Sequence, residues 1–230
     1  MLLYYITDRT QFPGSEAKRR EQLLDKIAEA ANCGVNYIQL REKDLPIREF
    51  EQLARRAVDI VQRANATRSA VQPLPATALL INSRIDIALA VGADGVHLTS
   101  TDIAASEARA IWPKSATPGR NPVVGVSCHT ATEVSRAAAH GADFAVFAPV
   151  FGKVQTGASG VGLSALREAV GVISKPDRRV EAGDNRVTIP VLALGGVTAD
   201  NAQACLAAGA AGIAGIRLFQ QGNISDIRSL

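Results

Sequence analysis

Short apolar runs alternate with longer amphipathic segments along the chain, and this alternation predicts repeated strand–helix units. Eight runs of four or five mostly apolar residues are predicted to be strands. They are Leu2–Ile6, Asn36–Leu40, Ala78–Ile81, Gly95–Leu98, Val123–Val126, Phe144–Phe147, Pro190–Leu194 and Gly212–Ile216. A segment with apolar residues at helical spacing follows each run, so we expect a helix after every strand.

The sequence also indicates where these helices begin and end. The first is predicted over residues 15–31. The second should begin at Pro46 and end near Arg63, because proline is favoured in the first turn of a helix. Asp102 is expected to open the helix after the fourth strand. Further helices are expected around residues 85–89, 134–138, 164–173 and 199–208, with one short closing helix in the tail. Polar residues and prolines predict loop insertions at residues 64–76, 114–122 and 174–188.

A weak internal repeat connects the even-numbered strands. In Gly92–Val96, Gly141–Ala145 and Gly209–Ile213, a glycine that ends a helix runs directly into a strand, and Gly34–Ile38 is a looser copy. The spacing fits two strand–helix units per copy. A doubly wound open sheet is the competing architecture, but it usually carries a glycine fingerprint after its first strand, which this sequence lacks. We therefore predict an α/β fold in which residues 1–230 form a single (β/α)8 TIM-barrel domain.

The composition argues against several classes of protein. Of the 230 residues, 47% are hydrophobic and 20% are charged, which is typical of a soluble globular protein. A net charge of +3 without basic runs argues against nucleic acid as a partner, and no apolar run is long enough to span a membrane. Three widely spaced cysteines and an N-terminus without a signal-peptide pattern predict a cytoplasmic protein without disulfides.

The end of the second predicted strand carries the first candidate site. Between Tyr37 and Asp44 the sequence changes from apolar to charged. Gln39, Arg41 and Lys43 alternate, so they share one face as long as the chain stays extended. Two cations and an amide at the carboxyl end of a parallel strand suit a phosphate or diphosphate. The alternative is a solvated strand end with surface salt bridges.

Residues after the last two strands predict a second anion-binding region. Gly195 and Gly196 follow the seventh strand, and Ile216 and Arg217 lie at the end of the eighth. In TIM barrels these two loops commonly bind phosphate, and glycine lets backbone N–H groups approach it closely. The alternatives are a plain tight turn and an outward-pointing arginine. Two anion-binding regions predict phosphorylated small molecules as substrates.

Other polar residues also follow predicted strands. Asn82 and Asp102 offer oxygen atoms that suit Mg²⁺, although a helix N-cap is an equally good interpretation of Asp102. Ser127 and His129 end the fifth strand, and His129 is either an acid/base group or a structural histidine. Lys153 lies in a loop after the sixth strand, where it is either a lid lysine or an ordinary exposed one.

These motifs resemble those of the thiamine phosphate synthases. The matching segments follow one another through nearly the whole chain: Tyr4–Arg9, Ile38–Asp44, Arg84–Leu89, Gly92–Leu98, Gly125–Ser127, Ala148–Phe151 and Leu194–Thr198. The family is a (β/α)8 barrel that joins hydroxymethylpyrimidine diphosphate to a thiazole phosphate with Mg²⁺ and releases diphosphate. The resemblance therefore implies a transferase of thiamine biosynthesis with Mg²⁺ as its cofactor.

The resemblance also implies roles for the candidate residues. The diphosphate would be held by Gln39, Arg41, Lys43 and Asn82. Asp102 would bind Mg²⁺, and Ser127 would contact the diphosphate or the pyrimidine. The thiazole phosphate would be held by Gly195, Gly196, Ile216 and Arg217. The implied mechanism is dissociative: diphosphate leaves, a pyrimidine carbocation forms, and the thiazole nitrogen attacks it. Its implied catalytic residues are Arg41, Lys43 and Ser127.

Three positions depart from the family's usual pattern. Ser83 stands where the synthases carry a metal-binding aspartate, the loop around Lys153 is shortened and rewritten, and Arg217 replaces a serine. One alternative is a thiazole tautomerase, since that branch often lacks the metal aspartate and is thought to use a histidine matching His129. That branch tends to lose the paired cations of the second strand, which this chain retains. A non-catalytic barrel that binds phosphorylated ligands is the other alternative, and a homodimer is left open.

Overall fold

Eight parallel strands close into a barrel in the order in which they occur along the chain. They are β1 (Leu2–Ile6), β2 (Tyr37–Leu40), β3 (Ala78–Asn82), β4 (Gly95–Leu98), β5 (Val123–Cys128), β6 (Phe144–Phe147), β7 (Val191–Ala193) and β8 (Gly212–Gly215). The computed structural model describes residues 1–70, 75–112, 121–152, 159–174 and 188–230. The barrel confirms the predicted (β/α)8 architecture.

Helices follow the strands as the sequence predicts. They are α1 (Glu16–Asn32), α2 (Ile47–Ser69), α3 (Ile85–Val91), α4 (Ala105–Ile111), α5 (Ala131–Ala139), α6 (Gly162–Ser174), α7 (Ala199–Ala207), α8 (Arg217–Gln221) and α9 (Ile224–Arg228), with a short 3-10 helix at Arg9–Gln11. The tail therefore forms two helices, not the single one expected. Among the described residues, no helix is both long enough and apolar enough to cross a membrane.

The second helix is longer than the sequence predicts. The expected loop insertion at residues 64–76 is wrong over its first part, because α2 continues to Ser69. Ala64 and Arg68 extend the buried face of the helix. The Asn65 side chain accepts a hydrogen bond from the Thr77 N–H at 2.8 Å and donates one to the Thr77 carbonyl at 2.9 Å. Residues 71–74, and most of the insertions predicted at 114–122 and 174–188, lie outside the described residues.

The chain divides into two compact units. The first comprises Met1–Leu2, Leu98–Ile111 and Val124–Ala214, and within it α5 packs on α6. The second comprises Leu3–His97, Trp112–Val123 and Gly215–Leu230, and within it α1 packs on α2. Burying apolar side chains on the facing sides of such helices is the main force that stabilises each unit. The single domain over residues 1–230 stays a prediction.

In the second unit, the pairing register of β1 to β4 determines which residues at the strand ends are neighbours. Ile6 of β1 pairs with Gln39 of β2, and Gln39 pairs with Leu80 of β3. Asn82 is the last residue of β3 and pairs with His97 of β4. The chain segments that leave these strands therefore begin at neighbouring positions on the carboxyl side of the sheet, where TIM-barrel enzymes bind their substrates.

Candidate active site

Gln39 and Asn82 form the buried base of a polar cluster in the second unit. Gln39 is 2% exposed, and its Nε2 donates a hydrogen bond to Asn82 Oδ1 at 2.9 Å. Asn82 Nδ2 in turn donates to Ser83 Oγ at 3.2 Å. The structure thus brings together two of the residues predicted to hold a diphosphate, and it fixes the orientation of both side-chain amides.

Arg41 and Lys43 lie beyond the end of β2. The strand ends at Leu40, and Lys43 falls in a turn. The extended conformation that would place Gln39, Arg41 and Lys43 on one face therefore ends at Leu40, and only Gln39 of the three lies in the strand. Arg41 is half-buried and Lys43 is exposed. Within the described residues, neither side chain forms a hydrogen bond or an ion pair, so both cations are available to an anion.

A buried hydrogen-bond network, which the sequence analysis missed, connects the ends of β1 and β2. Glu42 Oε1 accepts a hydrogen bond from the hydroxyl of buried Thr7 at 2.6 Å. Its carboxylate also accepts from the Arg9 N–H at 3.0 and 3.2 Å and from Arg9 Nη1 at 3.2 Å. The Thr7 hydroxyl accepts a hydrogen bond from the Arg41 N–H at 2.9 Å. The only trace in the sequence is that Thr7-Asp8-Arg9 follows a strand, as the other polar candidates do.

Arg9 forms ion pairs with all three carboxylates of this network. Its guanidinium donates to both carboxylate oxygens of Asp44, at 2.6 and 2.8 Å, and to Glu16 at 2.7 Å. These hydrogen bonds, the one to Asp44 first, raise the pKa of Arg9. Burial raises the pKa of Glu42, against the opposing effect of the hydrogen bonds that it accepts from Thr7 and Arg9. A bidentate arginine–carboxylate pair is geometrically specific, so it fixes the loop that carries it.

Ser83 has an unusual backbone conformation. Its φ is +57°, the one positive value among the described residues other than glycine. Its N–H donates to the His97 carbonyl at 2.9 Å, which fixes this conformation at the end of β3. Asn and Asp occupy the left-handed region far more readily than other L-residues. The backbone at position 83 therefore suits the aspartate that the family usually carries there.

Asp102 belongs to the first unit and closes a turn, which corrects the prediction that it opens a helix. Its Oδ2 accepts hydrogen bonds from the Thr99 N–H at 2.7 Å and from Thr99 Oγ1 at 2.9 Å, and α4 begins only at Ala105. No three carboxylate, imidazole or thiol side chains of the described residues cluster as a ready metal site. Magnesium usually takes one or two protein carboxylates beside water and substrate phosphates, so a single Asp102 carboxylate fits such an ion.

A cavity in the first unit includes Asp102 and Ser127 in its lining. Its volume is about 240 Å³, and Thr99, Cys128 and Glu133 also line it. Ser127 is part of β5, which extends two residues further than predicted. Burial raises the pKa of the Cys128 thiol to about 12, so this cysteine stays protonated and is a poor nucleophile at neutral pH.

His129 follows β5 and is exposed. Its Nδ1 lies 2.7 Å from the Ala148 carbonyl oxygen. A carbonyl can only accept, so Nδ1 carries the proton in this contact, and Nε2 is the acceptor of the neutral ring. The His129 N–H donates to Glu133 at 2.5 Å, which holds the residue at the start of α5. This hydrogen bond fixes the orientation of the imidazole ring and leaves Nε2 as the nitrogen that could accept a proton.

Two left-handed glycines follow β7 and pack against the segment that follows β6. Gly195 has φ +95° and Gly196 has φ +65°. A Cβ on Gly196 would lie 2.7 Å from the Phe151 Cβ. The Gly195 carbonyl accepts from the Phe151 N–H at 2.9 Å, and the Gly196 carbonyl accepts from Asn201 Nδ2 at 3.0 Å. Both peptide orientations are thereby fixed before α7 begins, as an anion-binding backbone turn requires.

The remaining candidates are placed as follows. Ile216 comes directly after β8, which ends one residue earlier than predicted, and it is the N-cap of α8. Arg217 is the first residue of α8 and is exposed. Both belong to the second unit. Lys153 lies outside the described residues.

Comparison with known proteins links this chain to one group of enzymes. A family model described as thiamine monophosphate synthase matches residues 3–219. A relative from Geobacter sulfurreducens is 40% identical over 212 residues, which is 92% of this chain and 83% of that protein. The thiamine-phosphate synthase of Methanoculleus marisnigri is 35% identical over 92% of this chain and 84% of its own length. The solved structure of a thiamine phosphate pyrophosphorylase from Pyrococcus furiosus covers 99% of this chain and 94% of its own, with a TM-score of 0.71 and 28% identity.

Proposed function

Because the chain belongs to the thiamine monophosphate synthase family, we propose that it is a thiamine-phosphate synthase. It couples hydroxymethylpyrimidine diphosphate to a thiazole phosphate and releases diphosphate, which makes it a transferase of thiamine biosynthesis. Relatives with this name match more than nine tenths of the chain. The thiazole tautomerase and the non-catalytic barrel have no comparable support among these relatives.

The observation that carries the proposal is the state of the two cations after β2. Arg41 and Lys43 form no hydrogen bond or ion pair within the described part of the chain, while the acidic residues around them are bound by Arg9. Their charges are therefore available to the diphosphate. Gln39 and Asn82, which belong to the same unit and are hydrogen-bonded to each other, would add amide contacts to the diphosphate oxygens.

The thiazole phosphate is assigned to the turn that follows β7. The left-handed peptides at Gly195 and Gly196 have no side chain that would keep a phosphate away, and their carbonyls are directed into hydrogen bonds with Phe151 and Asn201. Backbone N–H groups in such a turn bind anionic oxygens well. Ser127, in the cavity lining of the same unit, would contact the pyrimidine or the diphosphate.

Magnesium is proposed as the cofactor, with Asp102 as its protein ligand. The ion would neutralise negative charge on the diphosphate as the C–O bond breaks. Asp102 suits this role because its carboxylate is fixed by Thr99 and is the one acidic group of the turn at residues 99–102. Ser83 offers only a neutral hydroxyl where the family usually has a second carboxylate, so the protein contributes less charge to the metal.

The chemistry needs leaving-group stabilisation more than a strong base. Arg41 and Lys43 stabilise the negative charge that builds on the diphosphate in the transition state. The phosphate contacts at Gly195 and Gly196 hold the thiazole for attack on the pyrimidine cation. In this scheme His129 contributes to the shape and polarity of the site rather than to proton transfer.

Ile216 and Arg217 are assigned to the thiazole phosphate because they follow the eighth strand, and Lys153 is proposed as a lid lysine. A cytoplasmic location agrees with three cysteines that all remain free thiols. The proposed partners are phosphorylated small molecules, with no nucleic acid and no membrane, and a homodimer stays a prediction.

The direct test is a coupling assay. The purified chain is incubated with hydroxymethylpyrimidine diphosphate, the thiazole phosphate and Mg²⁺, and thiamine phosphate and diphosphate are quantified. We expect both products in equal amounts, and neither when one substrate is omitted. If the wild-type chain forms no thiamine phosphate, the synthase assignment is wrong. Isomerisation of the thiazole carboxylate phosphate by the same sample would favour the tautomerase instead.

A further inference from the structure

An acidic residue lies between the two cations that are proposed to bind the diphosphate. Glu42 separates Arg41 from Lys43 in the sequence, and an exposed carboxylate at this place would weaken their attraction for an anion. The side chain of Glu42 is only 1% exposed, however, and its ion pair is with Arg9. All its hydrogen bonds go to Thr7 and Arg9 at the end of β1.

The Thr7 hydroxyl connects Glu42 to the backbone of Arg41. Thr7 is fully buried, donates to the Glu42 carboxylate at 2.6 Å, and accepts from the Arg41 N–H at 2.9 Å. The Thr7 N–H donates to the Gln39 carbonyl at 3.0 Å, which continues the strand pairing past the end of β1. One hydroxyl therefore fixes the backbone of Arg41.

Arg9 fixes the peptide of Lys43 from both sides. Its guanidinium binds the residue before Lys43, through Glu42 at 3.2 Å, and the residue after it, through both oxygens of Asp44. Arg9 is itself 4% exposed, and its other ion pair is with Glu16, whose side chain is 44% exposed and therefore contributes little to holding Arg9. Arg9 forms the ion pairs with the acidic neighbours of Lys43, so Lys43 remains exposed and does not pair with these carboxylates.

We propose that Glu42, acting through Thr7 and Arg9, is a positioning residue that sets Arg41 and Lys43 for diphosphate binding. This inference rests on the proposed synthase function. Glu42 touches no substrate; through its hydrogen bonds to Thr7 and Arg9 it holds the backbone of the loop from which both flexible cations extend. Such preorganisation lowers the entropy lost on binding and adds to the affinity for the anion.

The test is a cycle of variants studied by calorimetry with inorganic diphosphate and Mg²⁺. Glu42→Gln keeps the size of the side chain but removes its charge and one acceptor. Arg41→Ala removes one of the two cations, and the combined variant closes the cycle. Glu16→Gln is the matched control, because it also removes a carboxylate bound to Arg9 but lies on α1, outside the loop. The melting temperature of each variant is measured alongside.

We expect Glu42→Gln to weaken diphosphate binding about tenfold, which corresponds to about 1.4 kcal/mol. In the Arg41→Ala background the same change should cost about threefold or less, because part of what Glu42 positions has been removed. Glu16→Gln should change the affinity less than twofold. A loss of thermal stability alone, with unchanged affinity, or a full tenfold loss in both backgrounds would overturn the positioning role.

A second pair of variants keeps the test valid if Glu42→Gln does not fold. Thr7→Val preserves the shape of threonine but lacks the hydroxyl, and should weaken diphosphate binding, whereas Thr7→Ser should restore it. Equal affinities for the two would contradict the proposal. If the wild-type chain itself fails to bind diphosphate, the proposed function is wrong as well. If the wild type binds diphosphate and the Glu42 and Thr7 variants bind it equally well, only the positioning role is wrong.

Discussion

Gly195 approaches Pro149 so closely that a Cβ on the glycine would lie 2.7 Å from the proline Cα. No side chain fits at this distance without a movement of the backbone. The contact joins the segments that follow β6 and β7 within one unit, and a hydrogen bond from the Val150 N–H to the Leu194 carbonyl at 2.8 Å reinforces it. The turn assigned to the thiazole phosphate therefore depends on the absence of a side chain at position 195.

We predict that Gly195→Ala lowers the free energy of unfolding by about 1–3 kcal/mol, because it adds a steric clash to left-handed strain. The Michaelis constant for the thiazole phosphate should rise as well. Gly141→Ala is the control, since Gly141 has φ +75° but has open space around its added Cβ. Denaturant unfolding of both variants and steady-state kinetics give the comparison. Equal effects of the two substitutions would show that the contact with Pro149 is unimportant.

Ser83→Asp is expected to lower the Mg²⁺ concentration needed for half-maximal activity. The substitution supplies a carboxylate where the chain has a hydroxyl, and an additional anionic ligand strengthens binding of a hard cation. The left-handed backbone at this position tolerates aspartate well. Ser83→Asn provides the control, because it shares that tolerance but adds no charge. A midpoint of the magnesium titration that stays the same or rises in Ser83→Asp would place position 83 away from the metal.

His129→Ala should reduce the single-turnover coupling rate less than tenfold, or about 1.4 kcal/mol. The reason is that departure of diphosphate requires positive charge, not a base that titrates near neutral pH. Asp102→Ala should cost far more, because it removes the proposed protein ligand of the metal. The two variants are compared under identical substrate and magnesium concentrations. A larger loss in His129→Ala than in Asp102→Ala would favour proton-transfer chemistry and contradict the proposed mechanism.

The pairing of Asp44 with Arg9 predicts how stability depends on pH. Hydrogen bonds from Arg9 lower the pKa of the Asp44 carboxyl below its ordinary value of 3.8. A carboxyl with a lowered pKa in the folded state contributes stability above its unfolded pKa and loses it as the pH falls through the folded value. Asp44→Asn should therefore destabilise the protein at pH 7 by no more than about 1 kcal/mol, because the pair is partly exposed.

This difference between wild type and Asp44→Asn should shrink as the pH falls below about 3.8, the ordinary pKa of aspartate. Thermal unfolding between pH 7 and pH 3 measures it. Asp25→Asn is the control, since Asp25 is exposed and pairs with no residue in the described ranges. A difference that is constant or grows toward low pH would show that the ion pair with Arg9 does not contribute to stability.

The barrel could be predicted from the sequence because short apolar runs alternate with amphipathic segments along the whole chain. The pattern placed β1, β4 and β6 at their observed bounds. It failed at the end of α2, where Ala64 and Arg68 continue a buried face that the polar residues around them conceal. Boundaries of this kind depend on tertiary contacts, which a local pattern does not contain.

The residues of the candidate site could be predicted from the sequence, but the hydrogen bonds that position them could not. Arg41 and Lys43 were found as cations at a strand end. The role of Glu42 could not be predicted, because its partners Thr7 and Arg9 lie more than thirty residues away in the sequence. Asp102 was predicted as a magnesium ligand, with a helix N-cap as the alternative, because carboxylates are common at N-caps. Its side chain accepts hydrogen bonds from Thr99 before α4 begins, which the local sequence pattern does not reveal.

Arg41 and Lys43 are proposed to bind the diphosphate throughout the reaction. The most direct measurement is the single-turnover coupling rate of wild type and Arg41→Ala/Lys43→Ala, with Arg48→Ala as the control, since Arg48 is exposed and unpaired among the described residues. Each lost charge-assisted hydrogen bond should cost roughly 1.5–3 kcal/mol, so the double variant should be slower by at least a hundredfold. Arg48→Ala should couple at the wild-type rate. Coupling by the double variant at the wild-type rate would contradict the account.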